Sequence, residues 1–124
     1  MEFALTEFDG PPPIDAYGDG GFRIAGHRVK GSMLVLPSGF YPWQAHAANE
    51  VTVERFASFS ESPPKIDLLL IGCGAQPAAL KPEVRSFLRD LGISTDTLTT
   101  GAACRTYNVL LGEGRRIGAA LVAI

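Results

Sequence analysis

Two short stretches carry the residue types from which a binding or reactive site could be built. Gly72-Cys73-Gly74 follows the apolar run Leu68-Leu69-Leu70-Ile71. A loop of small residues leaving a buried strand can turn its backbone N–H groups toward an anion, and Cys73 adds a thiol there. The second stretch runs from Thr99 to Arg116 and holds Thr100, Cys104, Thr106, Tyr107 and Asn108 in an otherwise apolar half of the chain. Hydroxyls, a thiol and an amide around a helix start suit an anion or a nucleotide fragment.

Each feature has a plainer reading. A dinucleotide fingerprint needs a third glycine three residues after Gly74, opening a helix. Pro77 stands there and the next helix starts near Pro82, so Gly72-Cys73-Gly74 reads first as a tight turn. Cys104, in the first turn of a helix, would have its pKa lowered by the macrodipole. A nucleophilic cysteine also needs a base, and the only histidines, His27 and His46, lie in the other half. No complete catalytic constellation is present and no catalytic residue is assigned. Two thiols cannot make a structural zinc site alone, and nothing in the sequence calls for a metal or cofactor. Both cysteines follow apolar strands, so the strand ends would bring them close, with a disulfide as one variant. Burial as small hydrophobes is the plainer role for each. Thr100 as a helix cap and Tyr107 with a buried hydroxyl partner are the plain readings of those polar groups.

A third cluster is aromatic. Phe40, Tyr41 and Trp43 fall in the connection from Pro37 to Asn49. Three aromatics in a loop either pack down on the core or form a surface anchor for a protein partner. Near the other end, Glu113, Arg115 and Arg116 could form an ion pair that fixes a turn.

The elements that position these residues follow from periodicity. Residues 1–13 end in three prolines and predict a loosely held N-terminal arm; residues 14–124 predict one domain. Ile14 to Tyr17, Phe22 to Ile24 and His27 to Leu36 read as strands of an antiparallel meander, with turns at residues 18–21 and 25–26. Val53 to Ser60 predicts a short helix capped by Thr52. Ile66 to Ile71, Ser94 to Thr99 and Arg116 to Ile124 read as strands. The helices between them, Glu83 to Leu91 and Gly101 to Leu111, complete a strand-helix-strand-helix-strand unit with right-handed crossovers. The last strand is so apolar that it belongs inside the sheet. The predicted fold class is α/β, a three-layer domain with a mixed β-sheet.

The chain has 124 residues and a formal net charge of −2, which argues against an electrostatically driven nucleic-acid binder. The longest stretch without a charged residue, Gly31 to Asn49, is broken by Pro37, Gly39, Pro42 and Gln44 and is no transmembrane helix. Met1 to Gly10 carries Glu2, Glu7 and Asp9 and no basic start, so no leader is read there and a cytoplasmic location is expected. A homodimer would cover the aromatic loop and suit the high apolar content.

Gly39-Phe40-Tyr41-Pro42-Trp43, Leu69-Leu70-Ile71-Gly72-Cys73-Gly74 and Thr100-Gly101-Ala102-Ala103-Cys104-Arg105-Thr106-Tyr107-Asn108-Val109-Leu110, followed by Glu113-Gly114-Arg115-Arg116, also carry a resemblance. From Tyr17 to Ile124 the chain resembles the small domain-of-unknown-function family that includes mitochondrial complex I assembly factor 3 and the adipogenesis-associated protein. Cys73 departs from it, since that family more often has threonine between the two glycines. The resemblance implies a compact three-layer α/β fold, no established activity, and a non-catalytic role in assembling a respiratory complex through protein contacts. The alternative is a small-molecule domain binding an anion or nucleotide, or an uncharacterised enzyme, with a pocket lined by Gly72, Cys73, Gly74, Thr100, Cys104, Thr106, Tyr107 and Asn108.

Overall fold

Turn chemistry sets the first three strands. In the computed structural model, which describes residues 11–124, strand β1 (Ile14–Gly18) turns through Asp19 and Gly20 into β2 (Gly21–Ile24). That strand turns through Ala25 and Gly26 into β3 (His27–Lys30). All four turn residues have positive φ, at 53°, 75°, 49° and 83°, the backbone twist that two-residue hairpins favour. The three strands form an antiparallel sheet of their own.

The single strand expected from His27 to Leu36 is therefore two. Gly31 takes φ 85° and redirects the chain, and Ser32 is buried, accepting the Ala123 N–H at 3.0 Å. Strand β4 (Met33–Leu36) then starts a second sheet. The expected long connection after Pro37 contains a further strand, β5 (Gly39–Pro42), in a hairpin with β4. The expected helix over Val53 to Ser60 is divided between a 3₁₀ turn, Val53–Phe56, and the short helix α1 (Ser58–Glu61), and Thr52 makes no capping hydrogen bond. Phe56 and Phe59 are buried all the same, their rings 5.5 Å apart, with Trp43 5.4 Å from Phe56.

The second half follows the predicted order: β6 (Leu68–Gly72), α2 (Pro82–Asp90), β7 (Ser94–Leu98), α3 (Thr100–Gly112) and β8 (Ile117–Leu121). Pro82 opens α2, where its missing N–H costs nothing. Gly92, at φ 81°, closes it, with the Ile93 N–H reaching back to the Leu88 carbonyl at 3.0 Å. The five-stranded sheet runs β5-β4-β8-β6-β7, so the apolar last strand lies at its centre. Strands β6, β7 and β8 are parallel, while β4 runs antiparallel to β8.

Three layers result. On one face of the five-stranded sheet, Leu34, Leu36, Leu69, Ile71 and Ala120 pack against α2, α1 and the 3₁₀ segment. On the other, Met33, Val35, Leu70, Ala119 and Leu121 pack against α3 and the meander. Gly118 in β8 admits close neighbours, since a Cβ there would lie 3.0 Å from Leu36 Cδ2 and 3.1 Å from the Val35 carbonyl oxygen. The expected pairing among Glu113, Arg115 and Arg116 does not form. Arg116 makes a two-pronged bond to Asp67 instead, because Asp67 and Arg116 sit side by side at the starts of β6 and β8.

Candidate functional site

The carboxyl ends of β6 and β8 meet the start of α3, and three of the residues expected to line a pocket, Gly72, Gly74 and Thr100, come together here. Gly72 lies against Thr100: a Cβ on it would fall 2.9 Å from Thr100 Cα and 3.1 Å from Thr100 Oγ1. Gly74, at φ 109°, bends the chain so that its N–H donates to Thr100 Oγ1 at 2.9 Å. The Thr100 hydroxyl in turn donates to the Val122 carbonyl at 2.7 Å. Thr100 N–H bonds the Gly74 carbonyl, Val122 N–H the Gly72 carbonyl, and Cys73 N–H the Leu98 carbonyl, all within 2.9 Å. The knot is closed. The Cys73 and Gly74 amides expected to face an anion are spent within it, because a buried polar group must find a partner where no water reaches.

Thr100 is not the helix cap. Thr99 takes that place, its Oγ1 accepting the Ala102 N–H at 3.3 Å. Thr100 sits one residue inside α3, fully buried, which frees its hydroxyl to tie strand ends together.

The other expected pocket residues lie elsewhere. Asn108 is eight residues along α3 from Thr100, about 12 Å at a rise of about 1.5 Å per residue. Its side chain brackets Ile14, accepting the Ile14 N–H at 3.0 Å and donating to the Ile14 carbonyl at 2.7 Å. Tyr107 is fully buried and its hydroxyl donates to the Pro12 carbonyl at 2.8 Å. Burial pushes that phenol above its ordinary range. These two residues clamp the incoming chain onto α3, so the last residues of the expected arm are fixed; residues 1–10 lie outside the described part. Thr106 is half-buried on the same helix, remote from Gly74.

The cysteines are not neighbours. Cys73 packs on the α2 side of the sheet and Cys104 on the α3 side, and both are free thiols. Burial raises the Cys73 pKa and pushes that of Cys104 up to about 12, against a small opposing pull from Arg105. Cys104 lies on the second turn of α3, past the reach of the helix start, so burial wins over the dipole. The protonated thiol is therefore the favoured form of both at neutral pH, which disfavours attack by either.

Of the aromatic cluster, Phe40 and Trp43 are buried, and Trp43 Nε1–H donates to the Arg55 carbonyl at 3.0 Å. They pack down on opposite faces of the sheet rather than forming an anchor. Trp43 borders a hollow of about 230 Å³ with Gln44 and Arg55. Tyr41 reaches another, of about 560 Å³, between the β4–β5 hairpin and α1, walled by Leu36, Pro37, Phe59, Pro63 and Pro64. Sequence reasoning missed this hollow, although the prolines at residues 37 and 63–64 mark its rim. A smaller hollow of about 360 Å³ lies beside Gly74, bordered by His46, Gln76 and Val122. Tyr17 was also missed. Its ring covers Gly101, where an added Cβ would meet it, and its hydroxyl accepts Arg105 Nη1–H at 2.9 Å.

Among the described residues, no His, Cys, Asp and Glu cluster could hold a metal and no helix is long and apolar enough to cross a membrane. A meander clamped to one helix over a mixed sheet defines the class, the Mth938-like domain. The solution structure of such a domain from Bordetella pertussis matches at TM-score 0.76 and 26% identity, covering 98% of this chain and 91% of that one. The chain belongs to the family described as proteins of unknown function (DUF498/DUF598), which it matches over residues 14–122. A Bartonella henselae structure described as an outer membrane protein is 44% identical, with TM-score 0.84, covering 94% of this chain and 98% of that one. The mouse NADH dehydrogenase [ubiquinone] 1 alpha subcomplex assembly factor 3 is 36% identical over 117 residues. That match covers 94% of this chain and 63% of the mouse protein, so the chain spans less than two thirds of that relative's length.

Proposed function

We propose that this chain is an assembly factor for an NADH dehydrogenase of the complex I type, acting by holding a protein partner and not by transforming a substrate. The observation that carries the reading is the similarity to mouse complex I assembly factor 3 across 94% of this chain. The use of the polar residues supports it. Thr100, Tyr107 and Asn108 spend their hydrogen bonds on backbone groups of this chain, and both thiols are held protonated. That is the chemistry of a rigid body that presents surface.

Mammalian cells lacking their own assembly factor 3 provide the test. This chain is supplied with a mitochondrial leader, and assembled complex I is measured on native gels together with NADH–quinone reductase activity. Recovery of assembled enzyme above the deletion background is expected. An imported, folded chain that restores nothing, combined with normal assembly in the native host after deletion of this gene, refutes the reading.

A further inference from the structure

The outer edge of β7 is an open half of a ladder. The strand ends the five-stranded sheet, and among the described residues no strand pairs with its outer side. The hydrogen bonds that are made identify which groups remain. Ser94 N–H donates to the Asp67 carbonyl at 2.9 Å, and the Leu98 carbonyl accepts from Cys73 N–H at 2.8 Å. In an extended strand a residue's N–H and C=O point to one side and those of its neighbours to the other. Ser94, Asp96 and Leu98 therefore face β6, and Thr95 and Thr97 direct two N–H and two C=O groups outward. The same edge holds Thr97 Oγ1, a buried side-chain oxygen without a hydrogen-bond partner among the described residues.

Charge is sorted along this edge by face. Thr95 and Thr97 are in register with Leu69 and Ile71, on the α2 side. There Arg85 and Arg89, one turn apart on α2, flank a hollow of about 220 Å³ that reaches Ser94 and Thr95. Neither guanidinium is paired with a carboxylate among the described residues; Arg89 reaches only Ser86 Oγ, at 3.2 Å. Asp96 is in register with Leu70, so its exposed carboxylate lies on the opposite face.

We infer that β7 receives an extended segment of a partner protein as a sixth strand. The segment carries acidic side chains opposite Thr95 and Thr97, where Arg85 and Arg89 await them, and a basic side chain opposite Asp96. Backbone bonds to Thr95 and Thr97 supply affinity, and the alternating acid-base-acid pattern supplies register and choice of partner. A second copy of this chain is a poor occupant. Antiparallel pairing of β7 with itself about Asp96 sets two carboxylates opposite each other and gathers four arginines on the other face, and like charges directly opposite destabilise a ladder. This inference rests on the reading of the chain as a protein-binding assembly factor, and it names the surface and the chemistry of the partner.

The test uses the isotope-labelled full chain and two short blocked peptides. One has a glutamate–lysine–glutamate core within threonine and valine flanks, and the other has the charges exchanged. The first is expected to shift the Thr95 and Thr97 amides, slow their hydrogen exchange, and bind roughly tenfold more tightly than the second. The double variant R85E/R89E is expected to reverse that preference. T95P, which removes an outward donor but no ladder bond, is expected to weaken binding of the first peptide. Equal binding of the two peptides, shifts confined to other residues, or slowed exchange of Thr95 and Thr97 on raising the concentration of the chain alone would each overturn the inference. Peptide binding at this edge with no rescue of complex I assembly would sink the assembly reading alone, and rescue that survives R85E/R89E would sink the edge alone.

Discussion

Replacing Thr100 separates its two contributions. Thr100→Val keeps the shape and removes the hydroxyl, leaving the Gly74 N–H and the Val122 carbonyl without the partners they have at 2.9 and 2.7 Å. A buried group left unsatisfied costs about 1–3 kcal/mol, so two cost about 2–6 kcal/mol, here taken as about 3. Thr100→Ser keeps both bonds and removes one methyl from a fully buried site, at about 1 kcal/mol. Against a typical stability of about 5–15 kcal/mol, the valine variant still folds. Trp43 is the only tryptophan and is buried, so its fluorescence follows urea unfolding directly. With a slope of about 2 kcal/mol per molar urea, the midpoint should fall by about 1.5 M for Thr100→Val and about 0.5 M for Thr100→Ser, with unchanged slope. A valine variant as stable as the serine variant would refute the claim that this hydroxyl joins the helix to the strand ends.

Three further outcomes are expected. Stability should fall as pH rises above 9.0, the ordinary thiol value: the unfolded chain then releases the Cys104 proton, while the folded chain holds it to about 12. The slope is about 1.4 kcal/mol per pH unit for that one group, and Cys104→Ala should reduce the observed slope by about that amount in urea titrations at stepped pH, leaving the share of Cys73 and Tyr107. Asn108→Leu should lower the urea midpoint by about 1 M, since Ile14 loses both backbone partners, and should speed exchange of the β1 amides. Gly101→Ala should change little or destabilise in the parent, where the new methyl displaces Tyr17, but should stabilise by up to about 1 kcal/mol in a Tyr17→Ala background. Equal effects in the two backgrounds would contradict the packing of Tyr17 on Gly101.

The strand-helix-strand-helix-strand half was legible because its signals are local. Leu68 to Ile71 is apolar throughout, α2 shows a three- and four-residue apolar rhythm between Pro82 and Gly92, and the run Ile117 to Ile124 demanded a place inside the sheet. What was not legible depends on distant partners. Strand β5 is four residues between Gly39 and Pro42, turn formers that read as loop until β4 is there to pair with it. Gly31 looked like one glycine in a strand, and only its positive φ reveals the change of sheet. Tyr107 and Asn108 are polar residues on an apolar helix, a pattern shared by pockets and by clamps. The groups that decide between these, Pro12 and Ile14, lie at the other end of the chain. For Cys104 the dipole argument fails because the residue falls on the second turn of α3, where burial decides its pKa.

The central place of β8 also bears on how the molecule comes into being. Met33 pairs with Leu121, and Leu70 pairs with Ala119, so the β4–β5 hairpin and the β6–β7 pair share no ladder until β8 enters between them. During synthesis the ribosome must deliver residues 117–121 before either half has its neighbour. Up to that moment β4 and β6 each expose an apolar strand edge of the kind that seeds misassembly. Pairings of such long sequence separation close slowly. A variant that delays entry of β8 should therefore show itself as lost soluble yield before any change in the equilibrium stability of the finished protein.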